Sequence, residues 1–105
     1  MQLLFALGLG NAEFRHGQAL FALGQAETAA SAYRRALDLL EPRLDEGSPK
    51  LAELRVAAAK ALRASGRPGA ASLLAKADTA YKMLGDPFAE ERAETTTPRR
   101  RMAVD

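Results

Sequence analysis

The chain has 105 residues, at most one ordinary domain, and Ala (23) and Leu (16) supply 39 of them, with no Ile and only two Val. β-branched residues this scarce exclude a sheet-based fold, and Ala and Leu are strong helix formers, so the expected fold class is all-α. Residues 1–94 carry 12 basic and 12 acidic side chains, and the chain has one His and no Cys, which excludes a basic nucleic-acid or membrane-surface body, a disulfide framework and a Cys nucleophile.

In chain order, residues 2–7 read as a short apolar helix ending at Gly8 and Gly10. No Lys or Arg precedes this run and it is too short for a transmembrane span, so neither export nor membrane insertion is expected and the default location is cytoplasmic. A second helical block runs from about 11 to 23 and stops at Gly24. A third runs from about 26 to 44, with Pro42 near its end, and its apolar stripe is Ala26, Ala29, Ala30, Tyr33, Ala36, Leu37 and Leu40. Asp45-Glu46-Gly47 is a loop, and Ser48-Pro49 is a helix start with Ser as N-cap and Pro at the first helical position. The fourth block covers 49–64 and stops at Gly66. The fifth covers about 68–84, with a stripe of Ala70, Leu73, Leu74, Ala77, Tyr81 and Leu84. Asp86-Pro87 opens one more turn through Glu94, and Thr95–Asp105 is a disordered basic tail. The whole reads as about five helices in antiparallel hairpins with close, Ala-rich seams.

Blocks two and three repeat as blocks four and five, Gly24 matching Gly66 at a period of 42 residues. Such a period signals stacked helical units. The first unit gives Gly17, Leu20, Gly24, then Ala29-x-x-x-Tyr33-x-x-Ala36-Leu37. The second gives Ala59, Leu62, Gly66, then Ala70-x-x-x-Leu74-x-x-Ala77, its glycine-to-alanine spacing one residue shorter. These residues resemble the tetratricopeptide repeat (TPR) family. The long period and the segment Leu40 to Ala52 are similar to its kinesin-light-chain-like variant, frequent in bacterial multi-repeat proteins. Glu13, His16 and Asp78 depart from the family pattern, occupying slots that are usually apolar. The resemblance covers about residues 11–84. It implies a short α-solenoid: an N-terminal helical stub or cap over 1–10, repeat one over 11–46, repeat two over 47–85, and a helical turn and tail over 86–105.

The resemblance also implies a scaffold that binds a protein or peptide on the face of the first helix of each repeat. One such face holds Asn11, Phe14, Gln18 and Phe21, flanked by Arg15. One period later come Glu53, Val56, Lys60 and Arg63, with the same i, i+3, i+7, i+10 spacing. Phe14 and Phe21 suit an apolar side chain and Lys60 and Arg63 a carboxylate, so the expected partner segment mixes apolar and acidic residues. The bland alternative is a solvated face with the two Phe partly in the core.

The remaining constellations are weaker. Glu13-x-x-His16 has the spacing of a di-iron ligand pair but lacks its second pair, and Gly8-x-Gly10 lacks the third glycine of a dinucleotide loop. Pro98 to Arg101 is too short a basic run for firm nucleic-acid binding, and Thr97-Pro98 is a bare phosphorylation dipeptide. No catalytic residue, metal site or cofactor is expected. The reading is a non-catalytic protein–protein interaction module. The alternatives are a small self-assembly domain, pairing as a homodimer through residues 1–9, or the C-terminal repeat segment of a larger bacterial signalling protein such as a serine/threonine kinase or regulator.

Overall fold

The computed structural model describes residues 2–84. They form four α-helices packed against one another, α1 (Gln2–Ala22), α2 (Ala26–Leu40), α3 (Pro49–Ala64) and α4 (Ala70–Leu84), and no strand occurs among them. The all-α expectation holds at that level. The turn and tail expected after Gly85 lie outside the described residues.

The expected stub and second block are one helix, so four helices replace the five. Glycine in a helix interior costs about 1 kcal/mol relative to alanine, and a sequence reading takes Gly8 and Gly10 as a stop on that ground. Packing against α2 outweighs the cost. A Cβ on Gly10 would lie 2.6 Å from Leu40 Cγ, and one on Gly17 would lie 2.6 Å from the Tyr33 ring. Both contacts step by seven residues, forward on α1 and backward on α2, which is the register of an antiparallel pair with closely approaching axes.

α2 stops at Leu40, earlier than expected. Pro42 has no N–H to donate back into the helix, and the chain turns off with Arg43 and Leu44 N–H both donating to the Leu40 carbonyl at 3.0 and 2.9 Å. α3 begins as its sequence predicts: Ser48 is extended (φ −62°, ψ 128°), its side chain accepts from Leu51 N–H, and Pro49 occupies the first turn.

The turns closing the two hairpins are the same structure 42 residues apart. Gln25 N–H donates to Leu20 O (2.9 Å) and Gly24 N–H to Phe21 O (3.0 Å). Arg67 N–H donates to Leu62 O (2.8 Å) and Gly66 N–H to Arg63 O (3.1 Å). This is the Schellman pattern, with its left-handed residue supplied by Gly24 (φ 81°) and Gly66 (φ 71°). Beyond the turn the offset drops to 41: buried Ala29, Tyr33, Ala36 and Leu40 of α2 correspond to buried Ala70, Leu74, Ala77 and Tyr81 of α4. The missing residue is taken from the start of α4, which begins at Ala70 after Gly69 at φ 108°. That settles the register of the helix over residues 70–84.

α3 sits between two apolar clusters. Leu51, Leu54, Ala58 and Ala61 join Phe14 of α1 and Tyr33, Ala36, Leu37 and Leu40 of α2. On its other face Ala52, Val56 and Ala59 join Leu74, Ala77 and Tyr81 of α4. Arg55 of α3 is only 2% exposed. Its Nη2 donates to Glu41 Oε2 at 3.0 Å and to Glu46 Oε1 at 3.0 Å, fastening the α2–α3 connection over its guanidinium.

Candidate functional site

A groove of about 560 Å³ opens between α1 and α3. Phe14, Gln18 and Phe21 line it from α1, and Glu53, Val56 and Lys60 from α3, with Tyr33 of α2 and Tyr81 of α4 behind them. The α1 residues follow i, i+4, i+7 spacing and the α3 residues i, i+3, i+7, so each helix turns one stripe into the groove.

Six of the nine residues expected on this face therefore line one concavity. Asn11, Arg15 and Arg63 do not. Asn11 is half-buried, and its Oδ1 is enclosed and accepts no hydrogen bond from the described residues. Arg15 and Arg63 are exposed beside the groove.

Within the groove the apolar residues differ in what they offer. Phe14 is 4% exposed. The Tyr33 ring meets it edge-on with centroids 5.9 Å apart, and Lys50 Nζ lies 5.5 Å from its centroid. Phe14 is thus a fixed wall, held by an aromatic pair and a cation–π contact. Phe21 stays exposed at the α1 end. Burial pushes the Tyr33 phenol above its ordinary pKa, so it stays neutral at physiological pH and adds no charge to the groove. Glu53 and Lys60 place one acidic and one basic group on the α3 side.

The two tyrosines were not expected here, because the expected binding face lies on the first helix of each repeat and Tyr33 and Tyr81 stand on the second. They share a signal: each belongs to the apolar stripe of its own second helix, and these two rings are long enough to reach past the seam. Glu13, which departed from the family pattern, is bonded by Arg35, whose Nε donates to its Oε2 at 2.6 Å. That hydrogen bond raises the Arg35 pKa further. Asp78 forms an ion pair with Lys82 at 3.2 Å.

Among the described residues no group of three or more side chains is placed to hold a metal ion, and no helix is long and apolar enough to cross a membrane. Comparison with protein-family models, curated proteins and solved structures finds no match.

Proposed function

We propose that this chain is a non-catalytic interaction module that holds a segment of a partner protein in the groove between α1 and α3. The observation that carries this reading is the groove itself: about 560 Å³, with an exposed Phe21 at one end and Glu53 and Lys60 along one wall. The repeated glycine turns and the resemblance to tetratricopeptide repeats support it, since stacked helical hairpins present such a concave face. The partner segment carries an apolar side chain for Phe21 and Val56 and a carboxylate for Lys60, with a donor opposite Glu53.

The test is selection from a random peptide library followed by fluorescence polarisation. The selected peptides should combine apolar and acidic residues. A hydrogen bond to a charged group contributes about 1.5–3 kcal/mol, so Lys60→Glu should weaken them about tenfold or more while circular dichroism stays unchanged. Peptides that bind the folded Lys60→Glu and Phe21→Ala variants as tightly as the parent chain would overturn the reading, as would a selection that enriches nothing.

A further inference from the structure

Among the described residues α3 is covered on two faces, and α1 on one. Ala52, Val56 and Ala59 of α3 pack toward α4, and one 42-residue period earlier stand Gly10, Phe14 and Gly17, all buried. Leu51, Leu54, Ala58 and Ala61 of α3 are buried against the first hairpin. One period earlier stand Leu9, Ala12, His16 and Ala19, and all four are exposed. Helical spacing extends this second stripe to Phe5 and Leu23, both 72% exposed, with Leu9 at 43%. Its members step by 4, 3, 4, 3 and 4 residues, the 3.5-residue period of a helix–helix seam. Gly8 flanks it, and a Cβ there would meet nothing within 4 Å. Gly10 and Gly17 admit α2, whereas the space over Gly8 is used by no described residue.

We propose that this stripe is where two copies of the chain pair, α1 against α1, antiparallel about a two-fold axis near residue 14. In that register Leu9 faces Ala19, Ala12 faces His16 and Phe5 faces Leu23 of the second copy. The pattern is its own complement, as a two-fold contact requires. Inside the seam the large Leu9 meets the small Ala19, and Gly8 lets the backbones approach. The seam is also continuous in kind with an interface already built: α1 offers a second copy the positions by which α3 docks on the first hairpin. A head-to-tail stack fits less well. Where α2 gives Leu37 to the cluster it shares with α3, α4 carries Asp78 41 residues later, engaged with Lys82. The seam is about 27 Å long at 1.5 Å per residue, a single helix pair and so a small interface. It lies on the side of α1 opposite Phe14, so it leaves the groove open and stands independently of the peptide-binding reading.

The full chain is tested by sedimentation equilibrium across micromolar concentrations, with circular dichroism on every variant. Twice the chain mass is expected. A charge forced into an apolar contact is expensive, so Leu9→Glu and Leu23→Glu should each raise the dissociation constant about 100-fold or more with helix content unchanged. Ala19→Arg is the second variant should either lose helix. The chain has no cysteine of its own, so Leu9→Cys and Ala19→Cys chains can be mixed and oxidised. The 9–19 cross-link should dominate over 9–9. A monomer at every concentration overturns the proposal, as does a dimer indifferent to the folded charge variants or a dominant 9–9 cross-link.

Discussion

In the first hairpin Tyr33 fills the gap left by Gly17, whereas at the equivalent depth of the second hairpin Leu74 and Ala59 share one cluster. A large ring against no side chain and a medium side chain against a methyl are two divisions of a similar volume. At the far end the division changes again: Leu40 lies on Gly10 in one hairpin, and Tyr81 and Ala52 share a cluster in the other. The turns do not vary in this way, since both carry the same two hydrogen bonds around a left-handed glycine. The repeat thus fixes the relation between its helices at the turn and lets the seam fill as volume allows.

The strongest way to break the comparison is to empty the seams. Tyr33→Ala should cost about 4 kcal/mol and Leu74→Ala about 3 kcal/mol in urea unfolding, as buried large-to-small changes do. Next comes Gly17→Ala, which forces a methyl against a ring with little room to move and should cost about 2 kcal/mol. Combined with Tyr33→Leu it converts the first seam to the composition of the second. The double variant should lose clearly less than the sum of the two single losses, and simple additivity in that cycle would refute the shared-volume account. Smaller still, Gly24→Ala and Gly66→Ala should each cost about 1 kcal/mol because a Cβ is strained at positive φ. Unequal losses would show that the two turns are not equivalent.

The smallest effects sharpen the picture. At low concentration, where chains are separate, Gly8→Ala should raise the melting temperature, gaining about 0.5–1 kcal/mol. It would be the one seam-flanking glycine whose loss helps. In alkali, the raised pKa of Tyr33 means the folded chain keeps its phenolic proton longer than the unfolded chain does. Its stabilising effect is therefore complete below the ordinary tyrosine value near pH 10 and declines as pH rises through the higher folded value. Tyr33→Phe should flatten that decline in a stability–pH series.

Much of the fold was legible in the residues. Ser48-Pro49 marked the start of α3, and Gly24 and Gly66 marked both turns, because each acts through backbone chemistry that needs no partner. The continuity of α1 was not legible: whether Gly10 ends a helix depends on Leu40, thirty residues away in the chain. The same holds for the groove. Spacing brought Phe14, Gln18, Phe21, Glu53, Val56 and Lys60 to one face, but Tyr33 and Tyr81 enter it from helices whose stripes read as core alone. Arg55 passed unnoticed because a guanidinium in a helix ordinarily faces water, and only the folded connection supplies the two acids that let it be buried.

That connection sets how the molecule is cut. Between α2 and α3 the chain is tethered through one nitrogen, Arg55 Nη2, to two glutamates, of which Glu46 is largely exposed. Salt screens the exposed Glu46 arm of this tether more than the Glu41 arm and leaves apolar seams intact. As ionic strength rises, trypsin should therefore gain access to the exposed Arg43 bond before any helix melts, leaving a single nick across which the apolar contacts of α3 still hold the two hairpins together.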